Sequence, residues 1–428
     1  MIRKLLAVAL AATALTPVVA LNVDAAPSTK PYIVFVADGV DPAAKAAQYG
    51  VTPTHVYTET MDGFSGALTS QQVSRLRKDL TVISIEADTT WPIFEENPTV
   101  PSGFFPPDMP QRVVAGMRRV GVPQSPTADI DGANELIDVD VAVLDSGIQP
   151  DHPDLNVAGG VDCTASGSKQ RWDDPDGHGT MVAGLVGALD NTIGVVGVAP
   201  GVRVWSVKVV HANPSGSKHG LISRSSLQCG LEWVSAHADI VEVANLSLSG
   251  PEQQPLGSCD DDEELHRAIC DVVDKGVTVV VSAGNANADT ADVTPARYPE
   301  VITVSAIGDN DGLPGGLGGP VTCNPTVVPE DGQLDDHFAF FSNHGEAVDI
   351  SAPGMCVLST WPGSTYVGWL GTSFSAPMVS GAAALYISTH PDATPAEVRH
   401  ALIDRAEQGP IPGDPDNYPE GVLNIRGL

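Results

Sequence analysis

The 428-residue sequence predicts an α/β protein, a doubly wound and mostly parallel sheet with a small α+β domain ahead of it. From residue 139 onward, short runs rich in valine and isoleucine alternate with helical patterns, as a parallel sheet covered on both faces requires. Before that, residues 32–88 form a compact set of short strands and helices of their own. A stretch dense in proline separates the two regions.

The elements follow in order. Tyr32–Val36 reads as a strand, Pro42–Gln48 as a helix, His55–Tyr57 and Phe64–Leu68 as strands, Thr69–Leu76 as a helix and Leu80–Ile85 as a last strand. Thr89–Pro110 collects six prolines without periodicity and reads as a linker. Beyond it the strand candidates are Val139–Leu144, Val202–Val210, Ile240–Leu248, Val277–Ser282, Val301–Ile307 and Ala347–Ile350. Helical patterns cover His178–Leu189, Leu221–His237, Asp261–Lys275 and Ser373–Ser388. Thr394-Pro395-Ala396-Glu397 is a capping box with proline in the first turn, opening a helix that runs to about Ala406. Gly308–Asp336 is an irregular, glycine-rich insertion, and no internal repeat is present.

Hydrophobic residues make 42% of the chain and charged residues 18%, which supports a large core and excludes a fibre or an extended linker protein. The formal charge is −31, and it is unevenly spread: residues 1–94 hold 8 acidic and 7 basic side chains, against 45 and 15 in the remainder. So acidic a surface repels phosphate backbones and anionic lipid, which argues against nucleic-acid and membrane-surface partners. Met1–Ala26 reads as a secretory signal, with Arg3 and Lys4 before an apolar stretch too short to span a bilayer and small residues at its end. No later run reaches about 18 uninterrupted apolar residues, so a secreted, soluble monomer is expected. Export favours disulfides among the six cysteines, none of which has the paired short spacing of a zinc site.

Three motifs fall where ligands bind in such sheets, at the carboxyl ends of strands. VAVLDSGI (141–148) ends a strand with Asp145, DGHGT (176–180) starts a helix with His178, and GTSFSAP (371–377) starts another with Ser373. A serine hydroxyl becomes a nucleophile when a base takes its proton, and that base needs a third group to fix its tautomer. Ser373 is the candidate nucleophile, His178 the base and acid, and Asp145 the orienting carboxylate. SAGN (282–285) follows another strand, and Asn285 can donate to the oxyanion beside the Ser373 N–H. Each motif alone is common in turns; four together at strand ends or helix starts are not.

With these residues in order, the chain resembles the subtilisin (subtilase) family of secreted serine proteases, in its proteinase K-like branch. GTSFSAP before an apolar helix fits the family's nucleophile turn, and Ala283–Pro299 has the branch's spacing, AGNANAD leading to TPARYP. The resemblance implies a subtilisin-like endopeptidase acting through an acyl-enzyme, made as a self-processing zymogen. Its divisions would be a signal (1–26), an inhibitor-like propeptide (27–94), a linker with the processing site (95–110) and the peptidase domain (111–428). Its partners would be peptide or protein substrates and its own propeptide.

By the same resemblance NLSLSG (245–250) supplies the strand to which extended substrates add, through Ser247, Leu248 and Ser249. Ser282, Ala283 and Gly284 would wall the primary pocket, and Ser249 stands where the family has glycine. A structural calcium site is implied at Asp154 and Asn191 through side chains, Leu189, Ile193 and Val195 through carbonyls, and Gln111. A second is implied at the Pro299 and Val301 carbonyls with Asp349. Asp309, Asp311, Asp335 and Asp336, and the acidic run at residues 260–264, read instead as solvated acids. Chain position pairs Cys323 with Cys356 and Cys259 with Cys270, leaving Cys163 with Cys229, one of 15 arrangements. His211, His219, His237, His266, His337, His344 and His390 read as surface or core histidines.

Two other readings conflict with these residues. An α/β-hydrolase esterase needs glycine two residues after the nucleophile, where Ser375 stands, and a different order of catalytic residues. A non-catalytic binding protein on the same fold would have no use for all four site residues.

Overall fold

The computed structural model describes residues 28–92, 102–164, 171–211, 220–251, 256–259, 264–319 and 334–428. The signal expected at Met1–Ala26, Cys323, His219 and residues 260–263 lie outside them.

Eight strands form one sheet in the order Gly421–Val422, Ile350–Pro353, Ile302–Ile307, Thr278–Ser282, Val243–Leu246, Asp140–Asp145, Arg203–Lys208, Val157–Asp162. Every pairing in it is parallel. Alternate side chains leave a strand on opposite faces. Val141 and Val143 therefore join a core with Val243, Val280 and Val304, whereas Ala142 and Leu144 join a second core with Ala244, Leu246, Val279 and Val281. Helices His178–Gly187 and Thr372–Thr389 cover the first face, Arg224–Ala236 and Glu264–Asp274 the second. Both faces being covered explains why these strands read as continuous apolar runs.

The N-terminal domain is a four-stranded antiparallel sheet, Pro53–Tyr57, Gly63–Thr69, Thr29–Val36, Val82–Ala87, with helices Pro42–Gln48 and Ser70–Leu76. Val34 and Val36 face its own helices with Phe64, Leu68, Val73 and Leu76. Ile33 and Phe35, on the opposite face, pack with Tyr57 and Cys229 and so join this sheet to the main body.

Several expectations shift. The helix expected from Leu221 starts at Arg224, because Leu221–Ser223 is a short strand and Ser223 is the N-cap of a capping box. The strand expected at Ala347–Ile350 is Ile350–Pro353. The proline-rich region is not wholly linker: Thr90–Pro92 pairs with Leu221–Ser223, and Ser102–Phe105 pairs with the Thr365–Trp369 strand. Val157–Asp162 was missed because Gly159 and Gly160 dilute its pattern, yet a Cβ at Gly159 would lie 2.8 Å from the Trp205 ring. Cys163–Cys229 and Cys259–Cys270 are bonded, and Cys356 is disulfide-bonded too. Among the described residues no helix is long and apolar enough to cross a membrane.

Candidate active site

The chain leaves the Asp140–Asp145 strand toward one edge of the sheet and later crosses to its other side, so a topological switch point lies beside that strand. Asp145 is its last residue, and His178 opens the helix that packs against it. His178 Nδ1 is 2.8 Å from Asp145 Oδ1 and 2.9 Å from Oδ2, with both side chains buried. Burial works against the imidazolium, but the Asp145 carboxylate, helped by Asp176 and Asp174, outweighs it, and the His178 pKa is raised. Only glycine fits next to His178: a Cβ at Gly179 would lie 2.1 Å from the Gly147 carbonyl.

Asp174 holds this arrangement and was not recognised in the sequence. It accepts from Ser146 Oγ at 2.8 Å, Gly177 N at 2.8 Å, Thr180 N at 2.8 Å and Thr180 Oγ1 at 2.7 Å. It thus ties the Asp145 turn to the start of the His178 helix, and Ser146 Oγ in turn accepts from Gly179 N at 3.0 Å. The signal available was an acid four residues before His178 in a turn ending at a helix N-terminus.

Ser373 sits in the first turn of the Thr372–Thr389 helix. Pro377, four residues on, has no N–H, so the Ser373 carbonyl lacks its usual helical partner and accepts from Ser247 Oγ at 2.7 Å. Asn245 Nδ2 donates to the same Ser247 hydroxyl at 2.9 Å, and Ser380 Oγ donates to Asn245 Oδ1 at 2.9 Å. The Ser373 hydroxyl donates to the Ser247 carbonyl at 3.3 Å. The imidazole of His178 lies against Phe374, ring centroids 5.3 Å apart, which brings it beside the Ser373 turn. Asn285 Oδ1 accepts from Thr372 N at 2.8 Å and Thr372 Oγ1 at 3.0 Å, leaving its amide as the donor end.

The residues expected to bind substrate also converge. Ser247, Leu248 and Ser282 are buried, and Ala283 is fixed by its N–H to the Val304 carbonyl at 2.9 Å and by Asn343 Nδ2 to its own carbonyl at 2.9 Å. Gly284 has φ +103°, and a Cβ there would lie 3.3 Å from Ser249 Oγ, so these two residues face one another. Beside the NLSLSG segment lies a second strand, Leu221–Ser223, which the N-terminal side of this chain pairs with. Leu221, Ile222 and Ser223 pair with Pro92, Trp91 and Thr90, and Trp91 lies against Gly250, where a Cβ would come within 2.7 Å of its ring.

The N-terminal domain is held next to this edge by polar contacts. Glu232 accepts from Thr58 N, from Glu59 N at 2.6 Å, from Thr60 N at 3.0 Å and from Thr60 Oγ1 at 2.8 Å. Asp88 accepts from Ser225 N at 3.0 Å at the start of the Arg224–Ala236 helix, and Arg224 pairs with Glu86 at 3.2 Å.

The first expected metal set is brought together. Asp154 is fully buried, accepts from Asn191 Nδ2 at 2.7 Å and Val195 N at 3.1 Å, and pairs with no cationic side chain among the described residues. Burial pushes its pKa up to about 7, so the site holds an uncompensated hard-oxygen donor that fits a dication. Gln111 joins through Asn191 N, and Leu189 N donates to the Asp154 carbonyl at 3.1 Å. Ile193 N caps Asn191 Oδ1 at 2.7 Å. The second set does not fit. Two of its three members meet Arg399, whose Nη1 donates to the Pro299 carbonyl at 3.2 Å and whose Nε donates to Asp349 at 3.0 Å. Positive charge from Arg399 already serves those two oxygens.

A carboxylate–imidazole pair beside a serine at a helix N-terminus, on a parallel sheet, defines a serine-hydrolase class of site. The chain belongs to the subtilase family: the Subtilase family model matches residues 137–427, and the model for Peptidase inhibitor I9 matches residues 36–94. It is 32% identical to Subtilisin E of Bacillus subtilis (strain 168) over 365 residues, 85% of this chain and 79% of that protein. It is 34% identical to a subtilisin of Bacillus pumilus over 319 residues, 74% of this chain and 98% of that protein. A solved cold adapted subtilisin-like serine proteinase shares the fold with a TM-score of 0.55 and 27% identity, over 73% of this chain and 98% of that one. The protein is a subtilisin-like serine endopeptidase with an inhibitor-type propeptide domain at its N-terminal side.

Proposed function

We propose that this endopeptidase is exported as a zymogen, cuts itself free of its propeptide, and then hydrolyses peptide bonds through an acyl-enzyme on Ser373. The hydrogen bond between Asp145 and His178, beside the turn that carries Ser373, is the observation that carries this reading. Ser373 Oγ attacks the scissile carbonyl carbon while His178 takes its proton; Asp145 stabilises the imidazolium so formed. The Asn285 amide and the Ser373 N–H hold the oxyanion. His178 then returns the proton to the leaving amine, and water releases the acyl group by the same steps in reverse.

Substrate binds as an added strand along Leu221–Ser223, with Ser249 and Gly284 bounding the primary pocket. The pairing of Thr90–Pro92 with that strand supports the propeptide's occupying the substrate's path, and the self-cleavage bond then falls between Pro92 and Ser102. Calcium would be held by Gln111, Asp154, Leu189, Asn191, Ile193 and Val195, where it supplies structural cross-linking. The test is a serine-directed phosphonate probe on the purified protein, read by mass spectrometry. Labelling at Ser373 is expected, and labelling that persists elsewhere in Ser373→Ala, or none at all in the parent, overturns the reading.

A further inference from the structure

The insertion after the Ile302–Ile307 strand was expected to carry solvated acids, and this expectation is corrected. Asp309 is 5% exposed, Asp335 2% and Asp336 9%. Asp336 is accounted for, because it pairs with the buried Arg119 at 2.5 Å and accepts from Gly315 N at 2.6 Å and Gly316 N at 3.1 Å. The others are not. Carboxylate oxygens of Asp309, Asp311 and Asp335 lie within 4.8 Å of one another, with no ion pair to any of the three among the described residues. Arg118 donates to the Asp311 main-chain carbonyl at 3.5 Å and lies against Gly312, without pairing with any of the three carboxylates among the described residues.

One atom makes the cluster more than a set of acids. Asp309 Oδ2 is buried and has no hydrogen-bond partner among the described residues, while Oδ1 accepts from Gly312 N at 3.1 Å. A buried, unpartnered carboxylate oxygen is strongly disfavoured unless a proton or a cation meets it. The surrounding backbone is already committed: Asp335 accepts from Asn310 N at 2.7 Å and Gly318 N at 2.8 Å, and Asp311 from Leu313 N at 2.7 Å. These bonds hold the three carboxylates converging from two chain segments, the strand's end and the insertion's return.

We propose that Asp309, Asp311 and Asp335 bind a divalent cation, calcium by the hardness and number of their oxygens, which clips the two ends of the insertion together. Three carboxylates at this spacing balance a dication with one charge in excess, and anionic oxygen donors favour calcium over zinc or copper. The ion would fix the turn that follows the Ile302–Ile307 strand, where Gly308 N already donates to the His337 carbonyl at 2.8 Å.

The test uses the full chain carrying Ser373→Ala, stripped with a chelator, then titrated with calcium chloride in a calorimeter and melted with and without millimolar calcium. Asp309→Asn with Asp335→Asn is compared in the same background, with Asp154→Asn separating the other expected site. The double variant is expected to bind one ion fewer, to gain less thermal stability from calcium, and to melt no lower than its parent in chelator, since like charges have been removed. Equal stoichiometry and an equal calcium-dependent gain overturn the site. So does a parent whose only response is to pH, which means that a proton meets Asp309. Should the double variant fail to fold, Asp311→Asn at the half-buried member decides: its calcium affinity at this site falls by about tenfold or more, and parental affinity refutes the proposal.

Discussion

Replacing Glu232 by alanine tests how the propeptide is held. This one carboxylate meets three successive backbone N–H groups, of Thr58, Glu59 and Thr60, and the Thr60 hydroxyl. A hydrogen bond to a charged group is worth about 1.5 to 3 kcal/mol. Bonds that share one acceptor are not additive, and part of this set is exposed, so about 2 to 4 kcal/mol is expected for the whole. At 1.4 kcal/mol per factor of ten, this is roughly a 30- to 700-fold weaker hold. The assay is inhibition of the processed enzyme by added propeptide, residues 28–92, followed with a chromogenic peptide. The inhibition constant of Glu232→Ala should rise by that factor while kcat/KM without propeptide stays at the parental value, because Glu232 touches none of the catalytic groups. A rise of less than about threefold would refute the assignment of Glu232 as the principal polar anchor.

Ser373→Ala should lose about six orders of magnitude in kcat, the scale measured in subtilisins, and should accumulate as an uncut chain on gels and in intact-mass spectra. His178 must be neutral to accept a proton, and its pKa is raised, so kcat/KM should fall on the acid side with a midpoint above the ordinary histidine value; Asp145→Asn should lower that midpoint along with the rate. Asn285→Ala should cost about 2.7 to 4 kcal/mol in the barrier, again the range known from subtilisins, seen in kcat with little change in KM. Chelating calcium should lower the melting temperature, and Asp154→Asn should remove most of that loss. At about 100-fold saturation one site contributes about 2.7 kcal/mol, or roughly 5 to 10 °C. Arg399→Ala leaves the buried Asp349 carboxylate, among the described residues, with the hydrogen bond from Thr303 N at 2.9 Å and should cost about 2 kcal/mol or more in urea unfolding.

Much of this molecule was legible because local and long-range demands agree. The Val277–Ser282 run is apolar on both faces since both faces are covered, and Thr394 with Glu397 announces a helix that needs no tertiary help to start. The catalytic motifs were legible for a related reason: each joins a strand end or a helix start to glycines that only close approach explains. What was misread depended on partners distant in the chain. Leu221–Ser223 looked helical because its strand role rests on pairing with Val210–His211 on one side and the distant Thr90–Pro92 on the other. Asp349 looked like a metal ligand until Arg399, 50 residues later, met it. Asp309 and Asp335 looked solvated because composition does not reveal burial, and Asp174 looked like one more acid in a polar turn.

The two short strands that flank residues 93–101 attach to different parts of the enzyme, Thr90–Pro92 to the Leu221–Ser223 strand and Ser102–Phe105 to the Thr365–Trp369 strand. While the chain is intact, the blocker confronts the cleft at an effective concentration on the order of millimolar, set by its tether. Were the tether severed, as the proposed self-processing requires, the downstream end would stay paired with its own strand and the blocker would become an ordinary solute, subject to dilution and digestion. Under the proposed self-processing, latency would be a property of chain connectivity: a single bond broken would convert a permanent occupant into one that can leave for good.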